Sequence, residues 1–230
     1  MAIVHQHGCG HVGDDVINTE RALLGVATNP NVGAVVVVGL GCETIAGERL
    51  ASRIEQRGQR VRFVGIQAEG GIERTVVRGR EAVAGLRQQL DGLRREAQPA
   101  SSFVFGIDAD GPLADAVCGV AAQRGARVVR GSGAPGPGRH VELAGAGAQV
   151  IVSLRGRGQG PVGFAVCPVL AVAGDPELYR ALCDDFDLDG GAVGAEAIFE
   201  RAVVTFNGER TASERRDAHD FVLRRLARSM

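Results

Sequence analysis

Val35-Val36-Val37-Val38-Gly39-Leu40-Gly41-Cys42-Glu43 is the stretch that decides the fold class. Four consecutive β-branched residues read as a strand with no polar face, and so as a buried strand of a parallel sheet. The glycines behind them turn the chain and leave a thiol and a carboxylate just past the strand's carboxyl end. Glu48 to Arg57 then reads as a helix with Leu50 and Ile54 on one face. Val61 to Ile66 is a second strand, and Gly70-Gly71 leads into a helix from Ile72 to about Glu96. Strands alternating with helices predict an α/β fold, with mostly parallel sheets and crossover helices.

Gln98-Pro99-Ala100-Ser101-Ser102 reads as a boundary, beyond which the pattern resumes. Strand Phe103 to Ile107, helix Leu113 to Arg124 and strand Arg127 to Val129 form a shorter α/β unit. Gly131 to Gly138, rich in Gly and Pro, reads as a flexible connection. Strand Gln149 to Leu154, a loop Gly156 to Gly163 and strand Val166 to Val172 follow. Helices are predicted near Pro176 to Cys183, Gly194 to Phe206 and Ser213 to Arg228. The expected organisation is an N-terminal lobe 1–97, a short unit with its connection 98–138, and a strand-loop-helix region 139–230. That amounts to two α/β lobes with a helical C-terminal segment.

Composition narrows the functional classes. The 230 residues carry a net charge of −1, and every basic residue is Arg, so no basic footprint for nucleic acid is present. The longest strongly apolar run, Val32 to Leu40, is too short for a bilayer, which takes ~20 residues. Met1-Ala2-Ile3-Val4 runs into His5-Gln6-His7 without a long apolar core, so no secretory leader is expected. Five cysteines, an odd number, read as reduced thiols in a cytoplasmic protein. Cys118 and Cys183 fall in helical patterns and are expected to be buried.

His5, His7, Cys9 and His11 occupy alternate positions. If Ile3 to Cys9 is extended, their side chains leave one face of the strand and form a set of metal donors. The same alternation also suits a polar surface strand with one buried Cys. Cys42 and Glu43 stand where parallel sheets gather ligands, at the carboxyl end of a strand. The two thiols, Cys9 and Cys42, are expected to lie together. A dinucleotide site is a poor third reading, because Gly39 to Gly41 lacks the third glycine and the helix-opening context of that fingerprint.

His5 to Asp15, Asn29-Pro30-Asn31-Val32-Gly33 and Gly39-Leu40-Gly41-Cys42-Glu43 resemble the altronate dehydratase and galactarate dehydratase family. Gly70-Gly71 with Thr75, the loop Gly156-Arg157-Gly158 with Gly163 and Pro168, Asn207-Gly208-Glu209, and His219-Asp220-Phe221 are similar to it as well. The resemblance covers most of 5–97 and 147–225. It implies a lyase that eliminates water from a sugar acid, or sulfite from sulfolactate, with the help of a divalent metal, Fe2+. The substrate would be a small carboxylate bearing a 2-hydroxyl. Under the resemblance, Cys9, Cys42 and His5 hold the metal, while His7, Glu43 and Asp108 are the catalytic groups. Gly70, Gly71, Thr75 and Arg157 bind the substrate.

The family's Cys-Gly-Gly-Ser-Asp motif has no match here. Gly106-Ile107-Asp108-Ala109-Asp110 ends the corresponding strand without a cysteine. Asp108 then either supplies an oxygen ligand in place of a thiolate, or the site is one ligand short. A non-catalytic or accessory relative that binds a small acid or a metal is the alternative function. The resemblance further implies a separate small subunit or a homo-oligomer that closes the pocket.

Overall fold

The computed structural model describes residues 1–5, 8, 9, 12–94, 96 and 98–224. It is an α/β fold in two compact units, one of residues 5–97 with 223–230, the other of 1–4 with 98–222.

The first unit starts with helix α1, Asp14–Ala27, which follows Gly13 and carries Asp14 and Asp15 in its first turn, where carboxylates meet the positive end of the helix. Strand β1, Ala34–Gly39, leads to helix α2, Gly47–Gln56, then strand β2, Arg60–Gly65, and helix α3, Ile72–Leu90. Strands β1 and β2 pair in parallel, Val36 opposite Arg62 and Val38 opposite Val64. One face of β1 sends Val35 and Val37 into a core of Leu24, Ile45, Leu50, Ile54 and Val61. The other face points Val36 and Val38 into a shallow apolar groove shared with Val76 and Val83 of α3.

The expected burial of Val35 to Val38 is therefore corrected. The strand is half-buried and Val38 is 56% exposed. The reason is the width of the sheet. Among the described residues β1 pairs with β2 alone, and Val76 and Val83 of α3 themselves stay exposed. The sequence reading also passed over α1, and among the described residues before it no strand forms.

The second unit opens with a 3-10 turn, Ala100–Ser102, and strand β3, Val104–Asp108. Helix α4, Pro112–Gln123, strand β4, Arg127–Arg130, helix α5, Pro137–Gly145, and strand β5, Val150–Arg155, come next. Strand β6, Val169–Ala173, helix α6, Pro176–Ala181, the short strand β7, Leu188–Asp189, helix α7, Ala195–Phe206, and helix α8, Ala212–Arg215, complete it. The five strands are all parallel, in the order β4-β3-β5-β6-β7. Renumbered from β3, this is the doubly wound order 2-1-3-4-5. Phe105, Val150, Val152, Leu170 and Val172 pack with Ile198 and Phe199 of α7 and with α4. Strand β6 is apolar on both faces because both are covered, and β3 and β5 are so up to their carboxyl ends, where Asp108, Ser153 and Arg155 stand.

Three further expectations are corrected here. The segment read as a connection ends in a helix, because Pro137 occupies the first turn of α5, where its missing N–H costs nothing. The closing helix expected from Ser213 to Arg228 is only Ala212–Arg215 among the described residues, started by a capping box between Thr211 and Glu214 and followed by Asp217 at φ 59°, and its expected last residues, 225–228, lie outside them. Cys183 is exposed, two residues beyond the end of α6, while Cys118 is half-buried. No helix among the described residues is long and apolar enough to cross a membrane.

Candidate functional site

In the first unit, the loop that leaves β1 is built around Glu43. Its carboxylate accepts from the Gly41 N–H at 2.5 Å, and Gly41, at φ 114°, takes a backbone conformation that side chains disfavour. Burial pushes the Glu43 carboxyl up, but hydrogen bonds from the backbone N–H groups of Glu43, Gly41, Gly47 and Cys42 outweigh it and hold it below the ordinary range. The side chain organises the loop from within.

The same loop receives the segment around Cys9. Thr44 N–H donates to the Gly8 carbonyl at 3.2 Å, and the Cys9 thiol donates to the Cys42 carbonyl at 3.6 Å. Both thiols are exposed. The neighbouring Cys9 sulfur pushes the Cys42 thiol above its ordinary range, as expected of two like groups sharing a site. Two adjacent sulfurs are the soft donors that Fe2+ and Zn2+ accept, and as far as they go they fit a divalent metal. Among the described residues no third His, Cys, Asp or Glu joins them to complete a set. His5 is exposed, and His7 and His11 lie outside the described residues.

Gly70, Gly71 and Thr75 form the start of α3. The Gly70 and Gly71 N–H groups donate to the carbonyls of Gln67 and Ile66, and the Thr75 hydroxyl donates to the Gly71 carbonyl at 2.8 Å. These groups are taken up by the turn itself.

The second unit carries a constellation that the sequence reading caught only at Asp108. This residue ends β3, lies opposite Ser153 of β5 in the register, and is fully buried. Its Oδ1 accepts from the Gly136 N–H at 2.9 Å. Its Oδ2 lies 2.8 Å from His140 Nε2 and accepts from the Ser153 hydroxyl at 2.9 Å. Arg139 and Arg155 each bring a guanidinium nitrogen to 3.7 Å of the same carboxylate. Burial pushes the Asp108 carboxyl up. The bond and charge of His140, with the Gly136 and Ser153 hydrogen bonds, more than offset this and keep it below the ordinary range. With its oxygens so occupied, Asp108 orients protein groups and has little left to offer a metal.

His140, Arg139, Ser153 and Arg155 were missed for identifiable reasons. His140 and Arg139 sit in α5, whose first residues read as linker. Ser153 and Arg155 are two apart on β5, and two polar residues on one face of an otherwise apolar strand were the available signal. Arg157, the expected carboxylate ligand, is exposed and paired with Asp175 at 3.3 Å and Glu177 at 2.6 Å.

The second unit thus belongs to the doubly wound parallel class, with its polar cluster where β3 and β5 part at their carboxyl ends. Residues 1–91 match the family described as "D-galactarate dehydratase/Altronate hydrolase, second domain", and residues 116–229 that described as "D-galactarate/Altronate dehydratase, C-terminal". The chain belongs to the galactarate and altronate dehydratase family. It is 30% identical over 112 residues to an altronate dehydratase of Bacillus subtilis and 33% identical over 122 residues to one of Escherichia coli. These matches cover 48% and 51% of this chain but only 22% and 23% of those relatives.

Proposed function

We propose that this chain takes part in α,β-elimination of water from a small sugar acid, which turns a 2,3-dihydroxy acid into a 2-oxo acid and water. The observation that carries the reading is the juxtaposition of Cys9 and Cys42, 33 positions apart, at the loop leaving β1 in the unit that matches the family's second domain. Cys9 and Cys42 would hold a ferrous ion there. Such an ion supplies Lewis acidity to the hydroxyl that leaves. Glu43 holds the loop in shape with its carboxylate turned to the backbone, and so positions both thiols. A separate small subunit or a second copy of the chain is part of the proposal, because excluding water strengthens the electrostatics that act on the substrate.

The test is turnover. Purified protein, supplied with ferrous ion under anaerobic reducing conditions, should convert at least one of a panel of aldonic and aldaric acids to a 2-oxo acid. Absence of turnover across the panel, both alone and with chains that co-purify from the native host, overturns it.

A further inference from the structure

We propose that this chain pairs with a second copy of itself through the first unit, helix α3 of each copy lying antiparallel to the other in the apolar groove between β1 and α3. The proposal names the second copy that the lyase reading invokes and to that extent rests on it, while its evidence comes from other residues.

Helix α3 rests on its sheet by a narrow line of residues. Of its 19 residues only Thr75 and Leu86 are buried, and their spacing puts them on one face. Ile72, Val76, Val77 and Val83 are exposed, from 47% at Val76 to 71% at Ile72. Ile72, Val76 and Val83 follow one another at helical spacing along the flank beside that line, and Val77 stands on the side away from the sheet. The opposite flank is the solvated one, where Arg78 pairs with Glu69 and Glu81. Strand β1 adds Val36 and Val38, so the groove has an apolar floor as well as an apolar wall. A contiguous apolar face of this kind marks a surface that another chain covers.

The floor and wall leave room for a neighbouring helix, packed at ~8–10 Å from α3 between axes. That helix needs apolar residues on two sides, toward α3 and toward β1. Helix α3 itself has them, Val76 and Val83 on its flank and Val77 on its outer side. It cannot fill its own groove, but two copies related by a twofold axis fill each other's, as isologous interfaces do. Gly79, on the groove wall, has open space where a side chain would stand, and so admits the second helix. The charges set the direction. Glu73 is the acid of the first turn of α3 and Arg87 the base of its last turn, and among the described residues neither has an ion pair. Antiparallel helices bring Glu73 of one copy toward Arg87 of the other at both ends of the interface, whereas parallel helices would bring like charges together.

Sedimentation velocity of the full chain tests this. The unaltered chain should sediment as a dimer. Val83→Asp should raise the dissociation constant of that dimer at least tenfold and leave the circular dichroism spectrum unchanged, since Val83 is 54% exposed and stands outside the core of its unit. Val204→Asp, at an exposed valine of the second unit, should leave the dimer as it is. Glu73→Arg and Arg87→Glu should each weaken it at least threefold, and the two changes together should restore it. A chain that is monomeric at every concentration, or a dimer that Val83→Asp leaves intact, overturns the interface. Should Val83→Asp not fold, the charge pair decides, and a double variant no tighter than the single ones overturns it. A dimer that yields no 2-oxo acid contradicts the lyase reading alone. A monomer that turns over a sugar acid contradicts this interface alone.

Discussion

His140 Nε2 lies 2.8 Å from Asp108 Oδ2, and neither residue is exposed to solvent. Asp108 belongs to a strand and His140 to a helix 32 positions later, so only the crossover from β4 to β5 brings them together. The carboxylate stays ionised in the interior because each of its oxygens has hydrogen-bond donors, which is the condition under which buried charge is tolerated.

Asp108→Asn removes that charge and leaves Arg155 without a facing carboxylate among the described residues. The expected loss is about 3–5 kcal/mol, the scale for breaking a buried ion pair. Asp110→Asn, at an acid 69% exposed, should cost about 1 kcal/mol or less. Urea unfolding followed by circular dichroism compares the two. Equal losses would show that Asp108 is not the centre of the cluster.

The pH dependence follows from the direction of the Asp108 shift. Its folded pKa lies below the ordinary value of 3.8. Its contribution to stability is therefore complete above 3.8 and is lost as pH falls through the folded value. Between these limits the unaltered protein should lose stability on acidification faster than Asp108→Asn does. Parallel stability curves for the two would contradict the assignment.

Cys42→Ala should abolish iron-dependent turnover and change stability by about 1 kcal/mol or less, since the thiol is exposed. Cys118→Ala should do the reverse. Its thiol is half-buried in α4, with the Arg130 guanidinium 3.2 Å away, and contributes to packing rather than to the loop after β1. Turnover of both variants, set beside their unfolding midpoints, separates a local effect from a general loss of fold.

Phe105→Ala tests the sheet of the second unit. Phe105 is fully buried, with ring centroids 5.8 Å from Phe199 and 6.2 Å from Phe103. Its truncation should cost about 3–5 kcal/mol. Val38→Ala, on the exposed side of β1, should cost far less in the monomer, and a comparable cost there would mean that this valine is covered within one chain.

The valine run was legible as a strand because β-branched residues fit a pleated chain. Its exposure was not, since burial depends on how many strands flank it, and that is a property of the rest of the sheet. The proximity of Cys9 and Cys42 was expected, and the structure places them side by side. Helix α5 escaped notice because Pro137 and the glycines before it look the same in a linker and at a helix start. With α5 went His140, so the partner of Asp108 was not visible. Arg155 and Arg157 are two positions apart, yet one is enclosed and the other paired at the surface. That difference rests on where β5 ends, and strand ends are weakly encoded in local sequence.

The lyase reading is tested most directly by running the iron-supplied protein on a 2,3-dihydroxy acid in D2O and weighing the product. Elimination takes the proton from C2 and the hydroxyl from C3, releases water, and leaves an enol that collects a solvent deuteron at C3 as it becomes the 2-oxo acid. The account predicts a 2-oxo acid carrying one deuteron at C3, formed by the unaltered chain and not by Cys42→Ala. Recovery of unchanged acid from iron-loaded protein, or equal product from Cys42→Ala, would contradict it.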